Sequence, residues 1–131
     1  SRSTLNPGER LLAACMAGDA AKAEDLATYD PTIPERARAA RPHAILEATE
    51  IGRAEAVRLL ASHGFDVNAR KRITALHQAA YDGNVELVEL LLDLGADPTI
   101  SSADFNSPPL NWAEHARQEA TAAILRPLTP R

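Results

Sequence analysis

Five of the six glycines fall on a repeating grid: Gly52 and Gly64 are separated by the same interval as Gly83 and Gly95, and Gly18 stands about one further unit ahead of Gly52. A chain punctuated at a fixed period is assembled from copies of one small unit, and this constrains the fold more than any local propensity does. The unit is clearest between Thr74 and Pro98, T-A-L-H-Q-A-A-Y-D-G-N-V-E-L-V-E-L-L-L-D-L-G-A-D-P, which reads as two short helices followed by a turn.

Thr74 opens the unit, its hydroxyl placed to accept hydrogen bonds from backbone N–H groups that a first helical turn leaves unpaired. Leu76, Ala79 and Ala80, at i, i+3 and i+4, give the first helix a narrow face of mostly small apolar side chains, so a neighbouring helix can approach closely. Gly83 ends that helix, because glycine adopts a positive φ without strain. In the second helix Val85, Leu87, Val88, Leu90, Leu91 and Leu92 are expected in packed surroundings, with Glu86, Glu89 and Asp93 turned to water. Gly95 closes it, and Ala96, Asp97 and Pro98 turn the chain outward. One helix pair cannot cover its own apolar side, so the units must stack, and stability lies mainly between neighbours.

Moving the unit back until Gly83 falls on Gly52 lays His43 to Gly52 on a first helix, and Val57 to Leu60 with Gly64 to Asn68 on a second helix and its turn. These residues resemble the ankyrin repeat family, whose pattern is T-P-L-H-x-A-A-x-x-G, an amphipathic helix with L-L, then G-A-D. The match is close in T-A-L-H-Q-A-A-Y-D-G and L-L-L-D-L-G-A-D, with Ala75 where proline is usual. Leu46 stands where the family has histidine, and Arg117 where it has the mid-repeat glycine. Leu11 to Gly18 with Ala23 to Leu26 resemble an N-terminal capping repeat, and Pro109 to Glu114 with Ala122 to Leu125 resemble a terminal one. The resemblance implies an all-α solenoid of about four helix-turn-helix repeats, near 9–30, 41–69, 72–100 and 107–126. They form one domain, 9–126, between an N-terminal tail 1–8 and a C-terminal tail 127–131, both expected to fray. It also implies structural roles for Thr74, His77, Gly83 and Gly95. The connector 30–41, where Pro34 suits the first turn of a short helix, reads as a solvated spacer. The finger at Arg70, Lys71 and Arg72 is expected to be stubby, and the 97–108 connector longer.

Composition narrows the function. At 131 residues, 45% hydrophobic and 24% charged, the chain is of one-domain size, and 4% aromatic residues with abundant alanine suit closely packed thin helices. Cys15 is the only cysteine, which excludes an internal disulfide and a cysteine-built zinc site; its apolar neighbours mark it as a buried residue. The formal net charge of −4 argues against a nucleic-acid partner. No apolar run approaches the roughly 20 residues that cross a bilayer, and no signal-peptide layout opens the chain. The reading is a cytoplasmic protein, monomeric and away from membranes, and the arginine and alanine usage points to a bacterial source.

Chemistry-bearing constellations are scarce. His77 falls on the family's T-x-L-H position, where the ring braces neighbouring turns; His43, His63 and His115 lack the spacing of metal ligands; no glycine-rich phosphate cradle exists. No cofactor and no metal are expected. The resemblance instead implies a non-enzymatic module that grips a protein partner on a concave face of first helices and turns. The positions mapped to that face are Met16 and Ala17 in the first repeat, Glu50 and Ile51 in the second, Tyr81 and Asp82 in the third and His115 in the fourth, with Arg70, Arg72, Ser101 and Phe105 in the turns. Tyr81 is the leading anchor, offering large area with a polar tip. Trp112 is expected to fill space against the final repeat. Two other readings stay open: a regulatory or targeting domain of a larger enzyme, and an enzyme with a site around His77, Asp82 and Glu50.

Overall fold

A computed structural model describes residues 5–130, and among these every regular element is helical. The order is α1 (Pro7–Ala17), α2 (Ala20–Tyr29), α3 (Thr32–Ala40), α4 (Ala44–Glu50), α5 (Ala54–Ser62), α6 (Ala75–Asp82), α7 (Val85–Asp93), α8 (Pro109–His115) and α9 (Glu119–Leu125), closed by a 3-10 turn at Arg126–Leu128. Four helix pairs, α1/α2, α4/α5, α6/α7 and α8/α9, reproduce the four units of the sequence. The helix α4 packs on α6 and α6 on α8, while α5, α7 and α9 follow one another behind them. One apolar core runs from Leu11 to Leu125 through every pair, and alanines such as Ala48, Ala79, Ala80 and Ala113 fill it where first helices meet.

The third repeat follows its sequence closely. Thr74 Oγ1 accepts from His77 N at 3.4 Å while His77 Nδ1 accepts from Thr74 N at 3.2 Å, a reciprocal cap. Gly83 (φ 72°) terminates α6 and donates its N–H to the carbonyls of Ala79 and Ala80. A Cβ there would fall 2.3 Å from Gln118 Oε1, because the Gln118 amide reaches back across the repeat boundary to donate to the Tyr81 carbonyl at 3.1 Å. Leu87, Val88 and Leu91 are buried, but Val85, Leu90 and Leu92, also expected in packed surroundings, are only half-covered, since they lie at the edges of the apolar stripe. In the turn, Asp97 Oδ1 accepts from Thr99 N at 2.8 Å.

Three expectations are corrected. The segment 30–41 is not a solvated spacer: its helix α3 buries Ile33 and Ala37 and packs on α1, where Gly8 permits backbone contact near Ala37. Its Arg38 Nη1 donates to the His63 carbonyl at 2.8 Å, tying α3 to the end of α5. The first pair consequently sits against α3 and α5. The N-terminal helix begins at Pro7 inside the supposed tail, because Asn6 and Glu9 form a capping box with two 2.9 Å bonds; residues 1–4 lie outside the described residues. At the other end the chain is still packed at Thr129, which is buried and donates its hydroxyl to the Leu125 carbonyl at 2.8 Å, while residue 131 lies outside the described residues.

Arg117, in the place of the mid-repeat glycine, takes the same left-handed conformation (φ 59°). A non-glycine residue there carries roughly 1–2 kcal/mol of strain, partly offset by the smaller entropy it loses on folding. Arg117→Gly is therefore expected to raise stability by about 0.5–1 kcal/mol, read as a higher urea midpoint with unchanged slope. Cys15 is buried, and burial pushes its thiol up to about 11, so it is an inert core residue.

Candidate functional site

The neighbouring helices α6 and α8 hold Tyr81 and Trp112 side by side, with ring centroids 5.9 Å apart and planes inclined at 67°. The connector between α7 and α8 folds back over them. Ser102 N donates to the Ser107 carbonyl at 2.8 Å and Asn106 N to the Ser102 carbonyl at 3.0 Å, a tight bend that Asn106 closes at φ 50°. That bend brings Phe105 to 6.1 Å from the Trp112 centroid. Beneath lies His77, fully buried, its ring 5.6 Å from Trp112 and edge-on to it. His77 Nε2 is 2.8 Å from the Ser107 carbonyl and Nδ1 accepts from Thr74 N, an arrangement satisfied by the neutral ring protonated on Nε2. Burial, aided by the charge of Arg70, holds its pKa below the ordinary value, partly opposed by the Ser107 bond. The ring thus ties the 98–107 finger between α7 and α8 to the helix that carries Tyr81.

The result is a groove of about 470 Å³ lined by Tyr81, Phe105, Ser107, Asn111, Trp112 and His115. Phe105 is 73% exposed and Tyr81 44%, and a further large apolar residue, Ile51, is 59% exposed at the end of α4. Of the residues singled out in the sequence, Tyr81, Phe105 and His115 meet here. Glu50 and Ile51 lie outside this groove, at the end of α4, the next first helix; Asp82 ends α6 and accepts from Gln78 Nε2 at 3.1 Å on both oxygens. Arg70 and Arg72 turn along the finger: Arg70 Nη1 donates to the Ser101 carbonyl at 2.8 Å, and Arg72 Nε to Asp104 Oδ2 at 3.0 Å. Both hold the third and fourth repeats' turns together, helped by Ala103 N donating to the Arg72 carbonyl at 2.8 Å.

Trp112 does not fill space against the end of the array. It faces the preceding repeat, half-buried, with Nε1 donating to Ser102 Oγ at 3.3 Å, and all three ring contacts of the groove pass through it. The sequence carried one signal for this: Trp112 follows Gln78 at the same interval as Leu110 follows Leu76, and Gln78 is a half-covered position on the exposed side of α6. Among the described residues no three potential ligands cluster to hold a metal ion.

Stacked helical pairs joined by turns, with side chains gathered on the first helices, define a helical repeat array. Residues 11–102 match the family described as Ankyrin repeats (3 copies), and the chain belongs to the ankyrin repeat family. The fourth pair, α8/α9, lies beyond that match and completes the groove. Relatives include Palmitoyltransferase ZDHHC17 of Danio rerio, 38% identical over 71 residues, covering 53% of this chain and 12% of that protein. Palmitoyltransferase Hip14 of Drosophila melanogaster is 34% identical over 83 residues, 62% of this chain and 13% of the relative. Mitochondrial disaggregase of Bos taurus is 44% identical over 66 residues, 49% of this chain and 10% of the relative. The chain thus matches only a small part of each relative's length.

Proposed function

We propose that this chain is a non-enzymatic module that holds a protein partner along the face made by α4, α6, α8 and the 98–107 finger, so as to scaffold, inhibit or localise it. The observation that carries this reading is the groove of Tyr81, Phe105 and Trp112, which leaves large aromatic surface in water although the rest of the core is closed. Contiguous exposed aromatic surface is costly in an isolated protein and marks a contact site, and tyrosine and tryptophan are frequent interface anchors. Ankyrin repeats act by binding proteins, which supports the same reading. A site at His77, Asp82 and Glu50 gains no support: both His77 nitrogens are bonded inside the fold, so the ring has neither a free lone pair nor a free proton to offer. The small matched share of each relative supports a second role for the same face, as a regulatory or targeting part of a larger protein.

The test is capture from cell extract followed by mass spectrometry, with wild-type, Tyr81→Ala and Phe105→Ala chains compared. Partners held by the groove are expected to bind about 5- to 30-fold more weakly with either variant, each truncation costing about 1–2 kcal/mol of binding, while helical circular dichroism stays unchanged. Equal capture by all three folded proteins overturns the assignment.

A further inference from the structure

We propose that the groove receives a positively charged side chain, a guanidinium or ammonium, presented by an extended basic segment of the partner; this deepens the docking assignment above and rests on it. The faces of aromatic rings attract cations lying within about 6 Å of the centroid, tryptophan most strongly. Tyr81 and Phe105 meet Trp112 at 67° and 59°, so the three rings do not close into a flat stack. They bound a groove wide enough for a flat guanidinium, with Ser107 and Asn111 at its wall.

Charge on the surrounding face points the same way. Glu50 occupies on α4 the place that Tyr81 occupies on α6, one repeat further on, and is exposed. Asp82 follows Tyr81 directly. Among the described residues neither carboxylate is in an ion pair, and Asp82 meets only the neutral amide of Gln78. Of the basic residues in this part of the chain, Arg70 and Arg72 are directed to the Ser101 carbonyl and Asp104, while Lys71 and Arg117 are exposed. Adjacent helices lie about 8–10 Å apart, and a segment extended as polyproline II advances about 3.1 Å per residue and returns to the same side every third residue, so a segment with one cation in the groove reaches Glu50 with another about three residues away. The pattern read by this face is therefore a basic residue, two others, and a second basic residue.

Trp112 is the only tryptophan, so its fluorescence reports on the groove alone. The probe is the capped hexapeptide Gly-Arg-Ala-Ala-Arg-Gly, titrated against the full chain beside the same peptide with one or both arginines replaced by neutral, nearly isosteric citrulline. A saturable change in emission is expected, weakened about tenfold by each citrulline and further by salt. Glu50→Gln is expected to weaken the two-arginine peptide and leave a single-arginine peptide unaffected, whereas Tyr81→Leu weakens both; circular dichroism verifies that each variant folds. Equal binding of the doubly citrulline peptide makes the groove an apolar site and overturns the proposal, as does the absence of any saturable change. If capture of a partner still depends on Tyr81 and Phe105 in that case, the cation assignment alone falls; if capture is also indifferent to them, the docking face falls with it.

Discussion

Replacing Leu91 by alanine is expected to destabilise the fold by about 2–5 kcal/mol. Leu91 is completely buried on α7, the second helix of the repeat closest to the family pattern, and belongs to the core shared with α5, α6 and α9. Removing its side chain forfeits transfer free energy and leaves a cavity whose walls belong to different repeats, so no single helix pair can collapse to fill it. Leu90, one residue earlier and only half-covered, serves as the internal control and should lose clearly less when truncated. Urea unfolding followed by helical circular dichroism gives both values. A Leu91→Ala loss below that of Leu90→Ala contradicts the view that packing between pairs holds this chain together.

Replacing His77 by leucine, the residue at the equivalent place in the second repeat, Leu46, is expected to cost about 2–4 kcal/mol, because in a closed interior the Thr74 N–H loses its partner and the Ser107 carbonyl keeps only the Ser102 N–H. The orphaned N–H carries a penalty of about 1–3 kcal/mol and the lost bond to the carbonyl about 0.5–1.5 kcal/mol, while the apolar bulk of the ring is retained. The ring also makes stability depend on pH. Its folded pKa lies below the ordinary value of 6.5, so below that value the unfolded chain binds a proton that the folded chain resists. The contribution is complete above about pH 6.5 and is lost as pH falls through the lowered folded value. Wild-type stability should therefore decline on acidification through this window, and His77→Leu should remove that part of the decline. Unfolding midpoints measured for both proteins across the window decide the point; parallel curves would mean that another group sets the acid sensitivity.

The repeat architecture was legible because its signals are local and recur. Thr74, Gly83 and Gly95 mark helix ends by backbone chemistry that needs no partner from elsewhere, and the helical spacing of the apolar residues in α7 names its own buried side. What escaped reading depends on contacts distant in sequence. Ile33 and Ala37 look unremarkable in an arginine-rich segment until α1 packs on their helix, with Gly8 against the backbone of Ala37. Asn6 and Glu9 do form a local signature, a capping residue followed one turn later by an acidic partner, and the early start of α1 was available from it. For the groove, Tyr81, Phe105 and His115 could be named one at a time from their positions in the repeat. The register of Trp112 with Gln78 could give its side of α8, but its ring contacts could not be read from its own helix, because they are set by the bend at Asn106, by Ser102 and by the ring of His77.

The glycine grid that first announced the repeats also conceals an inequality. Gly52 and Gly95 face open space, with no atom within 4 Å of a would-be side chain, so only their left-handed backbone restricts them. Gly83 shares that backbone but lies under the Gln118 amide, and Gly64 lies under the Arg38 guanidinium. A substitution at either of these would evict a clasp joining one segment of the array to the next. Evolutionary freedom in this chain therefore does not follow its metre: positions that rhyme in the sequence differ in what they can tolerate, according to which distant side chain has come to rest on them.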